Sequence, residues 1–177
     1  MTVRALVTGG ARSGKSGFAE SMIREIGGEN VLYVATAETP EEDGELRRRI
    51  EEHRQRRPSG WRTFEISYSA GGHSMADVPD SARGVGAVLL DSLTLWVSGR
   101  MFAGAGDEEI LDELDGFLAD GIHAPVVVVT DEVGLGLVPE SAEGRRFRDL
   151  LGLANQQAAA VADEVHLCVA GVPLRVK

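Results

Sequence analysis

The sequence predicts a three-layer α/β domain with a mostly parallel sheet, bordered at one edge by an antiparallel C-terminal strand. Three observations carry this. Short apolar, β-branched runs alternate with longer stretches of helical periodicity, the pattern of βα units whose crossovers cover both faces of a sheet. Between the first such run, Val3–Thr8, and the first helical stretch, Gly17–Ile26, stands Gly9-Gly-Ala-Arg-Ser-Gly-Lys-Ser16, a full match to the G-x-x-x-x-G-K-[ST] phosphate loop. Finally, Glu164–Ala170 and Val172–Val176 flank Gly171 with hairpin spacing. Together they specify a P-loop NTPase of RecA-like architecture, a single nucleotide-binding domain over residues 1–177.

Each element has its own justification. Val3–Thr8 reads as a buried strand, and Gly17–Ile26 carries Phe18, Met22, Ile23 and Ile26 at helical spacing. Val31–Thr36 is a second buried strand, followed by a loop through Pro40 and an acidic helix start at Glu41, Glu42 and Asp43. The helix from about Glu45 to Arg57 is stopped by Pro58, and Leu46, Ile50, His53 and Arg57 share one face. Trp61–Ile66 is a short strand. Ser67–Gly84, rich in Gly, Ser, Pro and Asp, is mostly loop with room for a short helix. Val85–Leu90 is a strand ending at Asp91, and Leu93–Phe102 a helix interrupted at Gly99 or ended by Gly104 and Gly106. Glu108–Asp120 places Ile110, Leu111, Leu114, Phe117 and Leu118 on a stripe. Pro125–Thr130, with four consecutive valines, is the central strand and runs into Asp131-Glu132 and a Gly-rich loop to Pro139. A long helix, Glu143–Ala162, precedes the hairpin.

A formal net charge of −10 and a pI near 4.9 argue against broad electrostatic binding to nucleic acid or anionic lipid. An anionic ligand must be held locally. Arg47, Arg48, Arg49, Arg54, Arg56 and Arg57 form one basic cluster against the acidic background. Cys168 is the only cysteine, which excludes an intrachain disulfide and a cysteine-rich zinc site. No apolar run is long enough to span a bilayer, and the first strand passes directly into the phosphate loop rather than reading as a signal peptide. The expectation is a cytoplasmic protein.

The phosphate loop dictates the first chemistry. Gly9 and Gly14 permit backbone conformations in which successive N–H groups face phosphate oxygens. Lys15 reaches the terminal phosphates, Ser16 offers its hydroxyl to Mg2+, and the helix that follows turns its positive end to the same anion. Two acidic strand ends, Asp91 and Asp131-Glu132, compete as the second magnesium partner, with Asp91 preferred; Thr130 and Asp131 can equally orient the attacking group of a phosphoryl transfer. Each acid also has an ordinary reading as a cap or solvated turn residue. His53 is ambiguous in the same way, either a packed helix residue or a nucleophile toward phosphorus flanked by charge-neutralising guanidinium groups. His73, His123 and His166 have no supporting constellation, and Trp61 and Trp96 read as core or interface aromatics.

Taken in order, the motifs resemble the bifunctional adenosylcobinamide kinase/adenosylcobinamide-phosphate guanylyltransferase family. The resemblance rests on Thr8–Ser16, Tyr33-Val-Ala-Thr36, Arg49–Pro58 with Trp61-Arg-Thr63, Leu89–Trp96, Glu132–Glu140, Arg146-Phe-Arg-Asp149, Asn155-Gln156 and Ala162–Val165. It implies phosphorylation of adenosylcobinamide by ATP or GTP, then transfer of GMP from GTP to the resulting phosphate. It also implies that His53 is the guanylylated residue, beside Lys15 in the catalytic apparatus. Nucleotide contacts would fall on Gly9, Gly10, Ala11, Arg12, Ser13, Gly14, Lys15 and Ser16, on Ala35, Thr36 and Ala37, on Arg54, Gln55, Arg56 and Arg57, and on Glu65 and Asp91. The metal would be Mg2+, held by Ser16 and Asp91, unless Asp91 instead faces guanine, a role for which Glu65 is equally suited. The resemblance further implies a homotrimer. Asp131 departs from the asparagine frequent in the family, as do Ile66-Ser67 after Glu65 and the loop to Gly84. Two other readings fit a phosphate loop: a small metabolite kinase without a covalent intermediate, and a RecA-like nucleotide-binding oligomer.

Overall fold

The computed structural model describes residues 3–38, 44–119 and 122–177. Seven strands form one sheet: β1 (Val3–Gly9), β2 (Val31–Ala35), β3 (Arg62–Glu65), β4 (Ala87–Asp91), β5 (Val126–Val129), β6 (Ala162–Val169) and β7 (Val172–Arg175). Their order is β3-β2-β4-β5-β1-β6-β7, and every pairing is parallel except β6 with β7. The predicted three-layer P-loop fold with an antiparallel C-terminal edge is therefore the fold observed.

Alternation along the strands divides the core between the two faces. Ala5, Val7, Tyr33, Leu89, Val127 and Val129 pack under helix α1 (Lys15–Gly27), against Ala19 and Ile23. Leu6, Val34, Val88, Leu90, Val126 and Val128 point the other way, toward α4 (Leu93–Phe102), α5 (Asp107–Ala119) and α6 (Ala142–Val161). Trp96 is fully buried in that second layer. Trp61, also buried, donates its indole N–H to the Gly28 carbonyl.

Helix α2 (Gly44–Arg56) lies beyond β2. The acidic start expected at Glu41–Asp43 and the side chain of Leu46 lie outside the described residues, as does Asp120. Within the stretch expected to be mostly loop, a 3-10 turn (Met75–Asp77) leads into a single turn, α3 (Val78–Ser81). Its start is fixed by a capping box, with the Ser74 N–H donating to Asp77 Oδ2 at 2.8 Å. Gly99 does not interrupt α4. The Tyr68 ring packs so closely there that a Cβ at position 99 would meet its Cζ at 2.2 Å. A glycine that reads as a helix breaker is instead a socket. Among the described residues no helix is long and apolar enough to cross a membrane.

Register brings the functional positions into line. Glu65 pairs across from Ala35, Ala35 from Asp91, Asp91 from Val129, and Val129 from Val7. One row thus runs along the carboxyl ends of five parallel strands, where ligands bind in open α/β sheets.

Candidate active site

The phosphate loop occupies the end of that row. Gly14, at φ 88°, sits in the left-handed region and caps α1, which its missing side chain permits. Lys15 Nζ donates to the Gly10 carbonyl at 3.2 Å and pairs with Asp131 Oδ1 at 2.5 Å. Of the two acidic strand ends, it is thus the one after β5 that meets the loop lysine. Thr94 Oγ1 accepts from the Asp131 N–H at 2.7 Å, and Asn155 Nδ2 donates to the Asp131 carbonyl at 3.1 Å, so the backbone here is held by α4 and α6 together.

A cleft of about 650 Å3 opens above the loop. Ala11, Arg12, Ser13, Gly14, Lys15 and Ser16 line it, together with Ala35, Ala37, His53, Arg54, Arg57, Glu65 and Asp91. The remaining predicted contacts are placed differently. Gly9 pairs with Cys168 inside the sheet, and Gly10 serves Lys15 through its carbonyl. Thr36 is fully buried: its hydroxyl donates to the Ser92 carbonyl at 2.7 Å and accepts from the Ser92 N–H at 2.8 Å. Gln55 is exposed and donates to Glu51 one helical turn back. The side chain of Arg56 lies outside the described residues.

In the same cleft, β2, β4 and α2 converge. The Tyr33 hydroxyl donates to Asp91 Oδ2 at 2.6 Å, and His53 Nδ1 stands 3.5 Å from the same oxygen. That separation is long for a hydrogen bond but within charge-pair range. Arg57 lies flat over the Tyr33 ring, 3.5 Å from its centroid, and Arg54 pairs with Glu65 at the rim. Burial, reinforced by the neighbouring Asp91 carboxylate, drives the Tyr33 hydroxyl far above the ordinary phenol range, so it stays a donor. One carboxylate oxygen each from Glu20 and Asp91 and one His53 nitrogen lie within 4.8 Å of one another.

The sequence puts Tyr33 in a strand and in one of the motifs of the resemblance, but assigns it no chemical role. The available signal was a phenol in an otherwise aliphatic strand, since a buried hydroxyl requires a partner. A second cleft of about 410 Å3 adjoins the first, and Ala37 and Leu95 line both. Tyr68, Gly99 and the exposed Phe102 give this second cleft an apolar wall.

Comparison with known proteins identifies the family and the fold. Residues 5–176 match the family model described as cobinamide kinase / cobinamide phosphate guanyltransferase. A relative in Escherichia coli K12, named bifunctional adenosylcobalamin biosynthesis protein, is 41% identical over 186 residues, covering 97% of this chain and 98% of the relative. Another, from Pseudomonas aeruginosa and named bifunctional adenosylcobalamin biosynthesis protein CobP, is 38% identical over 180 residues, covering 99% of this chain and 98% of the relative. Among solved structures, a KaiC-like protein from Pyrococcus horikoshii superimposes with a TM-score of 0.50 at 16% identity, over 93% of this chain and 70% of the other. A type III secretion ATPase gives 0.51 at 12%, over 93% and 50%. At such identities these two similarities describe the fold alone.

Proposed function

Because the chain belongs to the cobinamide kinase / cobinamide phosphate guanyltransferase family, it is an adenosylcobinamide kinase and adenosylcobinamide-phosphate guanylyltransferase of cobalamin biosynthesis, and we propose that both reactions use the one cleft. The observation that carries this reading is that His53 and the phosphate loop line the same cavity. A triphosphate held by the loop then presents its γ-phosphorus for the first reaction and its α-phosphorus to the imidazole for the second.

In the kinase reaction the loop N–H groups and Lys15 hold the β- and γ-phosphates while the acceptor hydroxyl displaces the diphosphate in line. Lys15 exchanges Asp131 for phosphate as the nucleotide enters. In the second reaction His53 attacks the α-phosphorus of GTP, and pyrophosphate departs within reach of Lys15. The cobinamide phosphate then displaces GMP from the imidazole. Arg54 and Arg57 are placed to neutralise phosphate charge on the α2 side. The adjoining apolar cleft suits the bulk of the acceptor, since it meets the nucleotide cleft at Ala37 and Leu95.

The oxygen donor of Ser16, where α1 opens onto the cleft, suits Mg2+. Asp91, the other predicted donor, is turned toward Tyr33 and His53, so Ser16 is the residue that would hold the ion. When bound, the ion neutralises charge building on the phosphates. A cytoplasmic setting, where both triphosphates are available, belongs to the same proposal. So does a homotrimer, for which the exposed Leu135, Leu137 and Val138 beside the cleft supply apolar surface. Sedimentation equilibrium should return three times the chain mass; a monomer across the micromolar range would remove the trimer.

Incubation with GTP labelled at the α-phosphate should give an acid-labile, base-stable label on His53. Adenosylcobinamide phosphate should discharge it into a GDP-linked product. A label that never forms, with product still appearing, would replace the covalent route by direct displacement.

A further inference from the structure

An imidazole offers two nitrogens, and only one of them takes the phosphorus. We infer that the buried Tyr33–Asp91 pair positions His53, holding the proton on Nδ1 so that Nε2 is the attacking atom. This rests on the covalent reading and deepens it.

Asp91 lies at the end of β4 with only 9% of its side chain exposed, and its Oδ2 is fixed by the Tyr33 hydroxyl at 2.6 Å. Tyr33 itself is 2% exposed and covered by the Arg57 guanidinium, so the carboxylate has little freedom to turn. An ionised carboxylate only accepts hydrogen bonds, and the nitrogen facing it at 3.5 Å is Nδ1. The tautomer that satisfies both groups carries its proton there and its lone pair on Nε2. The link also crosses elements. Asp91 is on the sheet and His53 on α2, so the contact fixes how the helix presents its imidazole to the loop.

The chemistry closes without a proton transfer. The Nε2 lone pair forms the bond to the α-phosphorus as the bond to the bridging oxygen breaks, and that electron pair leaves with pyrophosphate. The ring becomes cationic, still protonated at Nδ1, and faces the Asp91 carboxylate. In the return step an oxygen of the acceptor phosphate bonds to phosphorus, the Nε2–phosphorus bond breaks, and its pair returns to the ring. Asp91 is thus a positioning residue that also opposes the transient positive charge. Unlike Lys15 and the arginines, it acts on the imidazole rather than on the phosphates.

The test uses full-length protein labelled with 15N-histidine, saturating GTP and Mg2+, with the adduct read by 31P–15N coupling and its formation by quench kinetics. Wild type should carry phosphorus on Nε2 alone. Asp91→Asn, nearly isosteric, should form adduct about a hundredfold more slowly, the scale for a misplaced reacting group, and distribute it over both nitrogens. Tyr33→Phe should give a smaller loss, about tenfold, with Nε2 still preferred. Attachment to Nδ1 in wild type would overturn the inference, as would Asp91→Asn with unchanged rate and unchanged nitrogen. A merely structural role for Asp91 would slow the reaction without moving the phosphorus between nitrogens, and that outcome also overturns it. A wild-type His53 that takes no label would instead sink the covalent reading itself, which the experiment registers before any variant is compared.

Discussion

His53→Ala is expected to lower guanylyl transfer by about 10⁴-fold or more while phosphorylation of adenosylcobinamide stays within about tenfold of wild type. The asymmetry follows from the two reaction types. A covalent route has no substitute for its nucleophile, and what survives is the residual effect of binding and charge stabilisation. Phosphoryl transfer to a hydroxyl depends on positioning and on neutralising the phosphates, work done by the loop and Lys15 rather than by the imidazole. The side chain of His53 is about a third exposed, so its removal leaves no core cavity and loss of fold does not confuse the result. Separate assays, phosphate formation from ATP and GMP incorporation from GTP with preformed cobinamide phosphate, check the prediction. Comparable losses in both would contradict it.

Lys15→Met should behave differently, depressing both reactions by about 10² to 10³-fold, the usual cost of losing one preorganised charge-stabilising group. Methionine keeps much of the unbranched stem and removes only the ammonium. The partner left behind, Asp131, has 26% of its side chain exposed and can be solvated, so the variant should melt close to wild type. The loss should appear in kcat as well as KM, because charge on the departing group grows toward the transition state. Measuring both constants for both reactions decides the matter. A variant impaired in only one reaction would show that the two do not share a phosphate cradle.

The elements were more legible than their arrangement. Val3–Thr8, the phosphate motif and Gly17–Ile26 announce a strand, a loop and a helix because burial periodicity and glycine placement are local properties. The strand order was not local: β4 inserts between β2 and β5, and no periodicity in either neighbour records it. The same limit applies at the site. Asp91 and Asp131 both follow apolar strands and look interchangeable in one dimension, yet the fold gives one to His53 and Tyr33 and the other to Lys15. Thr36 shows the converse. It follows β2 beside residues that line the cleft, but its hydroxyl is directed inward to Ser92, a partner no sequence spacing indicates.

The turn between β6 and β7 reaches back to the loop that grips phosphate. The Gly171 N–H donates to the Ser13 carbonyl at 2.9 Å, and a Cβ on Gly14 would lie only 3.1 Å from the Gly171 Cα. An excised fragment spanning β1, the loop and α1 would therefore contain the entire motif and still lack the brace that shapes it. Because Ser13 and Gly171 are so remote along the polypeptide, making this contact requires closing a loop of most of the chain, which local turns alone do not achieve.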